Sequence, residues 1–384
     1  MTVGWDVDPV VAAWSGLPKV NGDMTADVCV VGLGGSGLAA VADLVDRGLS
    51  VVGLDAGRVG AGAAGRNGGF LLAGPSEFLH RSVQSRGESS IDLYRATLAE
   101  IDRLGEMLGP EVIRRSGSIR LAGLPGEPVD AADIADRESD LADCVSLTRV
   151  LRENGIAVEE YDGDLGRGIF LPDDAAMNPA RRSLGMAAML APRAALFEHS
   201  PAVRITTGTV HTQSGRVSAP IILVAIDGKL ELALPELRGR VRTARLQMLS
   251  THPVSPGRLP CPVYCRWGYD YAQQDSDGRM YVGGGRDVFL SSEWTPETTP
   301  TRDVQRYIED VALRMAGAPV TVSSRWAASV GYSADGRPLC SEVAPGVVAF
   351  GGYNGTGNLV GPLAARAAVA MAIDGAKVPA YFCE

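Results

Sequence analysis

Residues 32–37 read Gly32-Leu-Gly34-Gly-Ser36-Gly37, a glycine spacing that can hold the pyrophosphate of a dinucleotide. Gly32 permits a tight turn, Gly34 lets a phosphate approach the backbone, and Gly37 lets the following helix pack closely. Asp55, followed by Ala56, lies 23 residues beyond Gly32, where a carboxylate can take ribose hydroxyls. An acid there suits FAD or NAD and disfavours NADP, whose extra phosphate wants an arginine. The motif alone does not choose between the first two.

The elements that must position these residues are legible around them. Residues 26–31 form a nearly continuous apolar run, expected of a strand buried on both faces of a parallel sheet. Leu38, Ala39, Ala42, Leu44 and Val45 then recur at helical spacing, and Gly48 stops the helix. The N–H groups and partial positive charge at that helix start favour phosphate. A second apolar run, residues 50–54, delivers Asp55.

Two further glycine-rich segments suit close backbone approach to a ligand. One spans residues 57–69 and ends Gly65-Arg66-Asn67-Gly68-Gly69. The other follows the apolar run 347–350 and reads Gly351-Gly352-Tyr353-Asn354-Gly355-Thr356-Gly357-Asn358, before an alanine-rich helix expected over 359–372. The start of that helix also favours negative charge. Two such junctions at opposite ends of the chain suit a long ligand, and no second GxGxxG follows a strand.

Residues 27–69 resemble the D-amino-acid oxidase superfamily of flavoenzymes, which includes glycine and sarcosine oxidases. The block 65–69 is most similar to the branch containing gamma-glutamylputrescine oxidase. The resemblance covers nearly the whole chain in patches and implies FAD. It places the 57–69 loop beside the pyrophosphate, ribityl chain and isoalloxazine, and the 351–358 junction at the pyrimidine end of the flavin. Within residues 195–203 it makes Val203 the adenine contact. Residues 170–179 lead back into the FAD domain, and 221–225 form a central strand that is scaffold.

The implied activity is oxidation of a primary or secondary amine to an imine, by hydride transfer to flavin with O2 as acceptor. The alternatives are an amino-acid or N-methyl-amino-acid oxidase, and a dehydrogenase passing electrons to a quinone or carrier protein. Such chemistry asks the protein chiefly for positioning and electrostatics. Where amino-acid-oxidising relatives often carry Arg-Pro, this chain has Val330-Gly331. Valine cannot grip a carboxylate, which tilts the reading towards amines or towards a carboxylate held elsewhere. Arg266, Arg286 and Arg337 are the candidate alternative grips. Tyr264, Tyr269, Tyr271 and Tyr332 are candidate cavity walls, and Asn354 and Thr356 can touch flavin or substrate. No lysine stands on residues 245–250, where some relatives promote the oxygen reaction, so oxidase against dehydrogenase stays open.

The expected fold is α/β (α+β): a Rossmann-type FAD-binding domain of residues 1–75, 166–227 and 325–384, with a discontinuous antiparallel-sheet substrate domain of 76–165 and 228–324. Ile91, Tyr94, Leu98, Ile101, Leu104 and Leu108 predict an amphipathic helix. Residues 128–156 predict an acidic helix with a solvated outer face, 240–250 a long strand, and Asp277-Gly278 a hairpin turn. A formal charge of −9 argues against nucleic-acid binding. No apolar run reaches the roughly 18 residues a membrane span needs, and the first 19 residues do not read as a secretory signal. The six scattered cysteines and four histidines offer no metal set. They predict reduced thiols, a cytoplasmic protein and non-covalently bound FAD.

Overall fold

The computed structural model describes residues 3–382. Its first sheet has six strands, in the order Ala195–Phe197, Val51–Leu54, Val28–Val31, Ile221–Val224, Val347–Gly351 and Leu339–Ala344. All neighbours are parallel except the last pair. The three apolar strands at 28–31, 51–54 and 347–351 are buried at every position, as strands covered on both faces must be. A small four-stranded sheet, including Arg216–Ser218 and Thr209–His211, packs beside them through Val210 and Val217.

Helix Gly35–Asp46 follows the first of these strands and lies against helix Gly357–Asp374, because Ala39, Ala40, Ala42, Ala364, Ala365 and Ala368 let the two backbones approach. Gly32 exits the strand with φ +95°, in the left-handed region, and a Cβ there would lie 2.8 Å from the Ala225 carbonyl oxygen. Gly37 is tighter still: its Cβ would sit 1.8 Å from the Gly32 oxygen. The glycine spacing is therefore a packing requirement as well as a phosphate one.

The second large sheet has eight strands, in the order Val322–Ser333, Val241–Thr251, Met280–Gly283, Asp270–Gln274, Val263–Cys265, Ser118–Leu121, Gly166–Leu171 and Glu159–Gly163. Every pairing is antiparallel except Val263–Cys265 with Ser118–Leu121. Helix Arg302–Ala316 covers one face, burying Val304, Ile308, Val311 and Met315 against Leu249, Ala272 and Val282. The opposite face meets helices Ser89–Leu108 and Ala131–Glu153 at the Gly166–Leu171 end and borders the cavity described below over the rest. Strand Val322–Ser333 crosses residue 325, so one continuous strand joins the two parts of the chain.

The amphipathic helix runs over Ser89–Leu108, the long strand over Val241–Thr251, and the Asp277-Gly278 turn joins two antiparallel strands. Helix Ala131–Glu153 is exposed along its outer side, at Glu138, Ser139 and Arg149 among others, and has in addition a buried inner side. Asp140, Asp143, Cys144, Leu147 and Leu151 are buried on its inner side, where the apolar members meet Ile91, Ile169 and Leu171. Asp140 and Asp143 are tolerated there because they accept hydrogen bonds from the Gly123 and Arg266 N–H groups and from Trp267 and Arg81. Among the described residues no helix is long and apolar enough to cross a membrane.

Candidate active site

A cavity of about 990 Å³ runs between the two sheets, from the 32–36 turn and Asp55 to the tyrosines of the antiparallel sheet. Gly32, Gly34, Ser36, Asp55, Ala56, Arg66, Asn67, Gly68, Gly355, Thr356, Gly357 and Asn358 line it. Gly37, Gly65, Gly69 and Gly352 do not; they shape the backbone behind the wall. Asp55 accepts from Leu33 N–H and Gly57 N–H, both at 2.9 Å. Burial raises its carboxyl above the usual range, against the pull of those two donors. One N–H bond on each oxygen leaves lone pairs for ribose hydroxyls.

The two glycine-rich segments are clasped to each other. Asn67 donates to Asn358 Oδ1 at 3.1 Å, and Asn358 donates back to Asn67 Oδ1 at 3.0 Å. Asn67 also donates to the Ala63 and Ala64 carbonyls and accepts from Gly69 N–H, while Asn358 donates to the Phe70 carbonyl. Two tryptophans fix the same loop: Trp326 donates to the Arg66 carbonyl at 2.8 Å and Trp5 to the Asn67 carbonyl at 2.9 Å. Glu198, buried, ties the neighbouring turn by accepting from Trp14 and from the Leu17 and Val59 N–H groups. Only a charge or an aromatic at an unexpected place signalled Trp5, Glu198 and Trp326 in the sequence.

The sheet side of the cavity is built by strand register. Arg120 is the cross-strand neighbour of Tyr264, Tyr264 of Tyr271, and Tyr271 of Gly283, so these side chains share one face. Tyr271 lies over Gly283, where a Cβ would come within 2.4 Å of its ring. Ala328, Val330 and Tyr332, at alternate positions of one strand, continue the wall. Burial pushes the Tyr264 and Tyr332 hydroxyls up to about 12, and that of Tyr271 higher, so all three stay protonated at neutral pH.

Two guanidinium groups stand on this wall. Arg120 lies between the Phe78 and Tyr264 rings, 4.0 and 4.5 Å from their centroids, and donates to Tyr264 Oη at 2.7 Å. Its Nε and Nη1 are buried without a hydrogen-bond partner. Arg286 lies 4.3 Å from the Tyr332 ring, with Trp294 and Tyr269 further out, and its buried Nη1 has no partner either. Arg120 went unnoticed in the sequence, although a charge inside the apolar run 118–121 was a usable signal.

Several expected site residues face elsewhere. Arg266 does not reach the cavity: it is held by Asp270 at 2.8 Å, by Asp287, by Tyr307 and by Asp136 at 3.6 Å, so its charge is spent beside the antiparallel sheet. Arg337 pairs with Asp335 at 2.7 Å instead of facing the cavity. The cavity wall near residue 203 is Pro201 and Ala202; the Val203 side chain is exposed and its N–H goes to the His211 carbonyl. Asn354 lines the cavity with φ +54°, but its amide accepts from Ser333 N–H and donates to the Gly336 carbonyl, so it fastens a loop. Thr356 donates to the Tyr353 carbonyl.

Asp227, also on the wall, was not anticipated. It accepts from the Gly331 and Tyr353 N–H groups at 3.0 Å, joining the Val330-Gly331 strand to the second glycine-rich junction. Burial pushes its carboxyl up to about 6. The described cysteines are all buried, and none lines the cavity.

A Rossmann-type sheet with its glycine turn and buried Asp55, facing an antiparallel sheet across the cavity, is the architecture of dinucleotide-binding proteins. Residues 27–371 match the DAO family, described as FAD dependent oxidoreductase, and the chain belongs to that family. It is 26% identical to a probable oxidoreductase OrdL of Rhizobium meliloti (strain 1021), covering 95% of this chain and 89% of that protein. It is equally 26% identical to gamma-glutamylputrescine oxidoreductase of Escherichia coli (strain K12), over 90% of this chain and 83% of that one. The fold is shared with glycine oxidase from Geobacillus kaustophilus, with TM-score 0.68 and 18% identity over 92% of this chain and 96% of that one. The protein is thus an FAD-dependent oxidoreductase of the DAO family.

Proposed function

We propose that this protein oxidises an amine that carries a carboxylate, converting its CH–NH unit to an imine. The observation that carries the reading is the pair of guanidinium groups, Arg286 and Arg120, which have buried nitrogens without partners beside Tyr264, Tyr271 and Tyr332 on the cavity wall. They supply the carboxylate grip that Val330 cannot, since a guanidinium donates two parallel hydrogen bonds to a carboxylate. FAD, when bound, supplies the two-electron acceptor that takes the hydride from the substrate carbon. The chain's own residues hold the substrate and exclude water. Tyr264, Tyr271 and Tyr332 remain protonated, so they act as walls and hydrogen-bond donors and not as bases. The amine proton leaves to solvent, and the imine hydrolyses in water after release. Dioxygen is the acceptor in this reading.

The test is anaerobic titration of the yellow protein with matched pairs of amines, one of each pair carrying a carboxylate. Flavin bleaching confined to the carboxylated members supports the reading, and equal bleaching by both members refutes it. Arg286→Met should lower kcat/KM for the carboxylated amine by about 10- to 150-fold, the worth of one charge-assisted bond of roughly 1.5–3 kcal/mol. Slow reoxidation of the bleached protein in air would replace dioxygen by a quinone or carrier acceptor.

A further inference from the structure

The opposite end of the cavity holds a third cation without a counter-charge. Arg182 lies on helix Pro179–Leu190 and is 1% exposed. Its Nε and Nη2 are buried without a hydrogen-bond partner, and Nη1 makes one long bond, 3.4 Å, to Asn358 Oδ1. The guanidinium rests against the start of helix Gly35–Asp46: a Cβ on Gly35 would meet Nη1 at 2.9 Å and Cζ at 3.1 Å. It lines the same cavity as Gly32, Gly34 and Ser36. Burial draws its pKa down to about 10, with Glu100 working in the other direction. It is still charged at neutral pH. Glu100 does not neutralise it directly, because that carboxylate is paired with Arg366.

Three sources of positive potential therefore meet at this place: Arg182, the start of helix Gly35–Asp46, and the start of helix Gly357–Asp374, where Asn358 sits. Between them lies the turn shaped for a pyrophosphate. A buried guanidinium with unsatisfied donors destabilises the chain that carries it, and an anion brought against it removes that cost. Anions also gain from helix starts.

We propose that Arg182 is the counter-charge of the FAD pyrophosphate, and that it couples cofactor binding to folding by weakening the FAD-free protein and stabilising the FAD-bound one. This rests on FAD binding, not on the identity of the amine. A residue that merely packs the helix would have one sign of effect in both states; Arg182 has opposite signs. Stored strain of this kind makes the cofactor-free chain the less stable species, so that loading with FAD consolidates the fold.

The experiment compares wild type, Arg182→Met and Arg182→Lys, each freed of flavin. FAD, ADP and phosphate-free riboflavin are titrated into each, and melting temperatures are measured with and without FAD. Arg182→Met is expected to lose about 10- to 150-fold in affinity for FAD and for ADP, the range for one to a few charge-assisted bonds. Riboflavin affinity should hold within twofold. The FAD-free melting temperature should rise while the rise produced by saturating FAD shrinks, and Arg182→Lys should recover part of the ADP affinity. Unchanged ADP and FAD affinity in Arg182→Met would overturn the proposal. So would an equal loss for riboflavin, or a lower melting temperature of the FAD-free variant, since either marks a packing role. Failure of the wild type to bind FAD at all would show in every titration and would strike the cofactor assignment instead.

Discussion

The Asn67–Asn358 clasp should be energetically visible, because it links the 57–69 and 351–358 glycine-rich segments directly on the cavity wall. Asn358→Ala removes the two reciprocal amide bonds, at 3.0 and 3.1 Å, the 2.8 Å bond to the Phe70 carbonyl and the long 3.4 Å bond from Arg182. At about 1 kcal/mol net per bond, with some further cost for groups left unsatisfied, the loss is about 2–4 kcal/mol. Asn67→Ala also loses bonds to Ala63, Ala64 and Gly69, so its cost should be at least as large. The shared part is what the clasp is worth. Urea unfolding of wild type, both single variants and the double variant forms a cycle, whose coupling should be about 1–2 kcal/mol. FAD titration of the same four proteins should show a parallel coupling, because the loops that are clasped are those lining the cavity. Coupling below about 0.3 kcal/mol in both measurements would refute the reasoning, since sites that do not interact add to within about that error.

Three further outcomes follow from individual residues. Burial pushes the Asp174 carboxyl up to about 7, although it accepts from Ser118 and from the Ala73 N–H. A folded-state pKa above the ordinary 3.8 means that stability from this group is fullest below about pH 4 and declines as pH rises to about 7. Asp174→Asn should remove that slope, changing the wild type–variant stability difference by up to about 4 kcal/mol between pH 4 and 7; parallel unfolding-energy profiles for the two proteins would refute it. Arg266→Met should cost about 3–5 kcal/mol in urea unfolding, because it strands the fully buried Asp270 without its cation. The turnover number per FAD-loaded molecule should stay near wild type, and a collapse of turnover without loss of stability would place Arg266 in the site after all. Acid precipitation should release the flavin into the supernatant, because no described cysteine lines the cavity; yellow colour retained in the pellet would contradict this.

The antiparallel-sheet end of the cavity depends on cross-strand neighbours, which no local pattern reveals. Arg120 and Tyr264 are 144 positions apart, yet they sit side by side because Ser118–Leu121 and Val263–Cys265 pair in parallel within an otherwise antiparallel sheet. Arg266 and Arg286 look alike in the sequence, each an arginine near a turn. Their fates differ because Asp270, Asp287 and Tyr307 surround the first, whereas aromatic rings surround the second. Val203 is displaced by one residue from the wall that Ala202 provides, a shift that strand alternation cannot fix at the end of an irregular segment.

What the sequence by itself determined was the dinucleotide turn and its setting. The positive φ of Gly32, the Gly37–Gly32 backbone approach and the Leu33–Asp55 hydrogen bond are all met within about 25 residues, so their spacing carries the information. The long strand, the amphipathic helix and the hairpin at Asp277-Gly278 are legible for the same reason, since periodicity and turn chemistry are local. Only the tertiary structure decided which charges are spent and which remain available. Arg182, Arg120 and Arg286 keep unpartnered buried nitrogens while Arg266 and Arg337 do not, because pairing a charge requires a partner brought near by the fold.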